Sequence, residues 1–246
     1  MYAYLVDGFL HDKKYQTELL RIENRLAQLG IQGRFEKITI LKNLAEAAKE
    51  AIRRGATTVV AVGNDQTVTK LLPLVVDGGV TLGLIPFGQP QTIAAALGIP
   101  TGLAACDVLS RRIIRHLDVG KVDNQYFLRD ARLTAVERVE CDGQYTVASV
   151  DPANTFVIGN LGSDDLERRP TDGRLELIVK SDAHGWSLWR RHYGPSSVFL
   201  IRRATIASSA PAASLLLDGQ IVLKAPRTIE VAPQKLGVIV GRQRQI

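Results

Sequence analysis

At 246 residues the chain is long enough to bury a substantial core in one large domain or two smaller ones. Hydrophobic residues make up 46% and charged residues 23%, the composition of an ordinary globular protein rather than a disordered or fibrous one. The formal net charge of +6 favours contact with anionic surfaces, while two cysteines, Cys106 and Cys141, exclude a disulfide framework and read as thiols in a reducing compartment.

In chain order, Tyr2–Val6 reads as a short apolar strand, and Tyr15, Leu19, Ile22, Leu26 and Leu29 then recur at helical spacing up to Gly30. Arg34–Ile38 fits a second strand. Asn43 and Glu46 have capping-box spacing before a helix carrying Ala47, Ala48, Ala51 and Ile52, which stops at Gly55. Thr57–Val62 is a continuous apolar run, as required of a strand covered on both faces. Val68–Val76 follows as helix, Val80–Ile85 as a second buried strand, and Ile93–Leu97 and Leu103–His116 as helices. This alternation predicts a parallel sheet with helices on its faces.

From Lys121 the pattern changes to short alternating runs punctuated by turns. Asp142-Gly143 separates Ala131–Cys141 from Gln144–Val150 as a hairpin, and Asp218-Gly219 separates Ser214–Leu217 from Ile221–Leu223. Asp172-Gly173 precedes Leu175–Lys180, and Val198–Ala207, Thr228–Val231 and Gly237–Val240 supply further strands. The predicted architecture is therefore an α/β domain over residues 1–118 followed by an antiparallel β-sandwich over 119–246, whose final segment returns to the first domain or stays in the second.

Two loops lie beyond the carboxyl ends of buried strands, where open α/β sheets bind ligands. The first is Gly63-Asn64-Asp65-Gln66-Thr67, just before a helix whose N-terminus favours an anion. The alternative reading is a plain strand-to-helix turn in which Asp65 or Thr67 caps the helix. The second is Pro86-Phe87-Gly88-Gln89-Pro90-Gln91, about twenty residues later, which strand order places beside the first.

These loops resemble the diacylglycerol-kinase catalytic family of bacterial lipid kinases, related to NAD kinases. The family carries a Gly-Gly-Asp-Gly-Thr loop after a buried strand, and Gly63, Asp65 and Thr67 match it. Its second loop reads Pro-x-Gly-Thr-Gly-Asn-Asp before an Ala-rich helix and a Leu-Gly-Ile-Pro exit, and Pro86, Gly88, Ala94 and Leu97–Pro100 match that frame. His116–Phe127 resembles the domain crossover with its Asp118, and Asp218-Gly219-Gln220 resembles the family's Asp-Gly-Glu strand pair.

The resemblance implies a nucleotide site at Gly63, Asn64, Asp65, Gln66, Thr67, Gly88 and Gln89, using ATP and Mg²⁺, with Asp118 near the transfer site and position 220 as the candidate base. Three segments depart from the pattern. Asn64 and Gln66 stand where glycines let phosphates approach the backbone, Gln89-Pro90-Gln91-Thr92 replaces Thr-Gly-Asn-Asp, and Gln220 replaces a glutamate. Pro90 lacks an N–H, and an amide at 220 has almost no basicity. The stretch after Phe127 also runs directly into strands where the family has helices of the lipid cleft, which implies a remodelled acceptor pocket.

The reading is a lipid-kinase-like pseudokinase, non-catalytic or weakly active, that binds a nucleotide or a lipid; the alternatives are an active ATP-dependent lipid kinase and an interaction scaffold. Its partners would be a nucleotide, an anionic lipid or membrane surface, or a second copy of the chain. Nothing accompanies the arginine pairs that points to nucleic acid. The N-terminus lacks the pattern of a signal peptide and no run of about 18 apolar residues appears, so a cytoplasmic location is expected, with the inner membrane surface as a peripheral site. His11, His116, His184 and His192 lack metal-ligand spacing, and Trp186 and Trp189 beside Arg190-Arg191 form either a membrane-touching face or a core face.

Overall fold

The computed structural model describes residues 1–38, 43–149, 155–161, 170–180, 197–207, 210 and 212–242. Trp186, Trp189, His184, His192, Arg168-Arg169 and most of the 160–167 segment lie outside the described residues. The chain divides into two compact units: residues 1–117 with the stretch from Gln234 onward, and most of residues 118–233.

The first unit contains β1 (Tyr2–Val6), α1 (Lys13–Gln28), β2 (Arg34–Lys37), α2 (Leu44–Arg53), β3 (Thr58–Gly63), α3 (Asp65–Gly78), β4 (Thr81–Pro86), α4 (Thr92–Ala96) and α5 (Ala105–Arg111), with 3₁₀ turns at Gly8–His11 and Gly102–Ala104. β5 (Ile114–Val122) leads out of it. Its sheet runs β2-β1-β3-β4, all parallel, and the end of the last strand adds alongside β4 through Val238 opposite Leu82. Every residue of β3 is buried, so its unbroken apolar sequence follows from cover on both faces. Helix α1 buries Leu19, Ile22 and Leu26, a spacing of three and four that sets one stripe against the sheet. Side chains buried to this degree each stabilise the fold by roughly 1.5–3 kcal/mol.

The second unit is built from β6 (Gln125–Phe127), β7 (Asp130–Thr134), β8 (Arg138–Cys141), β9 (Tyr145–Ala148), β10 (Thr155–Gly159), β11 (Leu175–Lys180), β12 (Ser197–Ile201), β13 (Arg203–Ile206), β14 (Ser214–Leu217), β15 (Ile221–Lys224) and the first part of β16 (Arg227–Ile239). A six-stranded antiparallel sheet, β12-β11-β10-β7-β14-β15, faces a second layer in which β16, β13, β8 and β9 follow one another. Alternate residues of both layers, among them Leu133, Phe156, Leu177 and Leu215 from one and Val139, Ala204 and Ile229 from the other, form one buried cluster. This is the predicted α/β-plus-sandwich fold. Among the described residues no helix is long and apolar enough to cross a membrane.

Five expected elements differ. The helix expected over Leu103–His116 ends at Arg111, because Arg112 turns left-handed (φ 50°) and the β-branched Ile113-Ile114 pair opens β5 instead. The strand expected over Ala131–Cys141 breaks at Ala135 (φ 53°), sending β7 and β8 to different sheets. Val198–Ala207 likewise splits at Arg202 into β12 and β13, again in different sheets. Thr228–Val231 and Gly237–Val240 are the two ends of one 13-residue strand, β16.

Candidate functional site

In the first unit the two loops expected to carry chemistry are bonded to each other. Helix α3 begins directly after β3, and Asn64 is its cap. Its Oδ1 accepts from the backbone N–H of Gln66 (3.1 Å) and of Thr67 (3.4 Å), while Thr67 Oγ1 accepts from Asn64 N–H (3.2 Å), a reciprocal capping box. The cap is thus Asn64, with Thr67 as its return partner, rather than Asp65. Thr67 Oγ1 also donates to Asp7 Oδ2 at 2.6 Å. Asp7 follows β1 and lies beside this loop because β1 and β3 are parallel neighbours. Gly63 is required here, since a Cβ on it would overlap the Thr67 hydroxyl.

Asp65 is buried and serves the other loop. Its Oδ2 accepts from the Thr92 N–H (2.8 Å) and the Thr92 hydroxyl, and its Oδ1 accepts from Ile93 N–H (3.1 Å), so this carboxylate closes the N-terminus of α4. Asp65 N–H donates to the Pro90 carbonyl at 3.0 Å, and Asn64 Nδ2 donates to the Gln89 carbonyl, also at 3.0 Å. Gln91 braces the second loop from within: its Nε2 donates to Gly88 C=O (2.5 Å), and its Oε1 accepts from the Thr101 hydroxyl (2.6 Å). Gly88 adopts φ 66°, a conformation that favours glycine, against the ring of Phe9.

The bonding pattern tests the fit of nucleotide phosphates. A helix N-terminus binds a phosphate through backbone N–H groups left without partners. At α3 the N–H groups of Asp65, Gln66 and Thr67 are already taken by the Pro90 carbonyl and the Asn64 side chain. These residues do not fit a phosphate cradle of that form. Among the described residues no group of three or more His, Cys, Asp or Glu stands ready to hold a metal ion.

The second unit holds Asp118 in a polar network that reaches Asp218, two residues before Gln220. Asp118 is fully buried in β5; its Oδ2 accepts from Gly173 N–H (2.7 Å), and its N–H donates to Pro170 C=O (2.7 Å). Asn160 Nδ2 donates both to Asp118 C=O (2.8 Å) and to Leu128 C=O (2.9 Å). Leu128 N–H in turn donates to Asp218 Oδ2 (2.9 Å), and Asp218 Oδ1 accepts from Arg129 (2.8 Å) and Asp130 (3.1 Å) N–H groups. Burial pushes the Asp218 carboxyl up to about 6, against the pull of those three N–H donors and with the help of nearby Asp130. Gln220, half-buried, closes the same β14–β15 turn through its N–H to Leu217 C=O at 2.8 Å. The sequence singles out neither Asn160 nor Asp218 as a buried hub. Asp218 is visible there as a turn residue and as part of the Asp-Gly-Gln segment that resembles the family's strand pair.

The comparisons agree with this architecture. The diacylglycerol kinase catalytic domain model matches residues 10–122. A diacylglycerol kinase of Bacillus subtilis is 33% identical over 123 residues, which is 48% of this chain and 40% of that protein. The chain thus matches less than half the length of that curated relative. The crystal structure of a diacylglycerol kinase from Bacillus anthracis superposes with a TM-score of 0.79 at 18% identity, covering 98% of this chain and 97% of the other, a likeness of fold. Residues 10–122, which carry the paired loops after β3 and β4, thus match the diacylglycerol kinase catalytic domain family, and the chain shares its fold with the Bacillus anthracis protein.

Proposed function

We propose that the chain is a lipid-kinase-like pseudokinase, non-catalytic or weakly active, whose nucleotide loops have been converted to internal structure. The observation that carries this reading is the α3 N-terminus, where the Asn64 amide and the Pro90 carbonyl occupy the N–H groups a phosphate would use. Gln220 supports it from the other unit. A general base contributes about 10²–10⁴ in rate, and an amide accepts no proton from a lipid hydroxyl at neutral pH. Residual ligand binding falls to the lipid side or to a nucleotide held by contacts other than the usual cradle.

The test is a Mg²⁺-ATP titration followed by thermal unfolding, alongside a product assay with diacylglycerol in mixed micelles. A nucleotide present at 100 times its Kd stabilises by about 2.7 kcal/mol, which a melting curve resolves. The expected outcome is a small or absent shift and no phosphatidic acid above background. Steady turnover by the unmodified chain would overturn the reading in favour of an active lipid kinase. Turnover appearing only with Gln220→Glu would locate the defect at the base alone.

A further inference from the structure

The Arg202-Arg203 pair is unused by the kinase reading, and the second unit builds a cavity around it. The β8–β9 turn sits beneath the point where the chain leaves β12 for β13. Asp142 Oδ1 accepts from the backbone N–H of Arg202 (2.9 Å) and Arg203 (2.7 Å), and Asp142 N–H donates to Arg203 C=O (2.9 Å). These three bonds fix the backbone of the arginine pair at the rim of an open cavity of about 580 Å³. Tyr145, Arg174 and Leu200 line the same cavity. Its size lies within the range typical of small-molecule sites.

Three arginines line the cavity with one carboxylate, Asp142, which already serves two backbone donors. Arg203 reaches Glu230 at 3.3 Å. The guanidinium groups of Arg174 and Arg202 make no hydrogen bond or ion pair with another described residue, and both side chains are exposed. Arginine binds phosphate oxygens through paired, planar N–H donors, which a lysine ammonium does not reproduce. Beside the cavity, the edge strand β12 leaves Leu200 49% and Val198 38% exposed, an apolar shoulder on a basic site.

We propose that this cavity binds a phosphate group, with Arg174 and Arg202 on its oxygens and Leu200 and Val198 receiving an apolar substituent. The site shares no residue with the two nucleotide-type loops, so its existence is independent of the pseudokinase reading.

The experiment compares the full chain with two doubly substituted variants. R174A/R202A empties the cavity of its free guanidinium groups, whereas R53A/R54A removes the same charge from α2 and its cap in the first unit. Each is titrated with glycerol 3-phosphate by calorimetry and sedimented with phosphatidylcholine vesicles with and without phosphatidylglycerol. R174A/R202A is expected to weaken binding at least tenfold, about 1.4 kcal/mol, with R53A/R54A within twofold of the unmodified chain. Loss in the calorimetric arm identifies a soluble phosphate ester as sufficient, and loss in the vesicle arm alone identifies a lipid headgroup. R174K/R202K, which keeps the charge, is expected to weaken binding as well, and it carries the test if the alanine variant folds poorly. Absence of binding in both arms, or an equal loss in R53A/R54A, overturns the proposal.

Discussion

The side-chain amide of Asn64 donates to the backbone carbonyl of Gln89 at 3.0 Å, joining two positions at which this chain departs from the diacylglycerol-kinase loop pattern. The neighbouring pair follows the same logic. Thr92 stands where the family pattern has an aspartate, and it donates both its N–H and its hydroxyl to Asp65. A second carboxylate at position 92 has no hydroxyl to give. Two of the departures are therefore coupled: the Asn64 and Thr92 side chains each bond to the other loop, and together they form a latch.

Opening that latch has a measurable cost and a measurable gain. Asn64→Gly removes the acceptor for Gln66 and Thr67 N–H and the bond to Gln89. Glycine is itself a tolerable cap, so the expected stability loss is only a few tenths of a kcal/mol. The freed N–H groups should let Mg²⁺-ATP raise the melting temperature more in Asn64→Gly than in the unmodified chain. Equal shifts in the two proteins would show that the cap does not control anion access.

Asp65→Ala should be far more costly. It strands the N–H groups of Thr92 and Ile93 and the Thr92 hydroxyl in a mostly buried setting. Each buried donor left without a partner costs about 1–3 kcal/mol. A urea midpoint lowered by the equivalent of at least 2 kcal/mol is expected on that scale, with an unchanged m-value. A near-neutral result would mean that α4 finds another cap.

Gly63→Ala adds a single methyl group where the Thr67 side chain already sits. Overpacking of this kind costs roughly 1–3 kcal/mol. The loss should appear in thermal unfolding without any ligand present, because the conflict is between two residues of the chain itself.

Asp218 predicts a pH dependence whose sign is the reverse of an ordinary surface carboxylate's. Its folded value, about 6, lies above the unfolded value of 3.8. Its contribution to stability is therefore fully present below about pH 4 and is lost as pH rises through about 6. The full span is on the order of 3 kcal/mol. A carboxyl-carbon NMR titration should place the Asp218 midpoint near 6, and a midpoint near 4 would contradict the burial argument.

Much of the fold is legible in the pattern of residues because hydrophobic period tracks element type. The buried runs at Thr58–Gly63 and Thr81–Pro86 lack alternation, and the Asp-Gly turns at 142–143 and 218–219 sit between paired strands. The break at Ala135 is not legible, because apolar residues at 131, 133, 135, 139 and 141 keep one face through it, and at 202 the Arg202-Arg203 pair marks a polar interruption without showing a change of sheet. What changes there is the sheet to which the chain belongs, a long-range choice with little local mark. The two loops stand out by position, after buried strands. Their bonding does not, since Asp65 and Thr92 are 27 residues apart and only the parallel register of β3 and β4 brings them together.

The 13-residue strand β16 begins in one unit and ends in the other, with Val238 beside Leu82 of β4. Synthesis is directional, so β4 waits with an unpaired edge while more than a hundred further residues are made. A sheet edge left open in this way is a template for pairing with other chains. Pairing over such a sequence distance is also slow to form. The halves are consequently not interchangeable modules. A fragment ending near Leu117 would leave the ribosome with its sheet unfinished and should aggregate unless the β16 segment is supplied, in cis by circular rearrangement or in trans as a peptide.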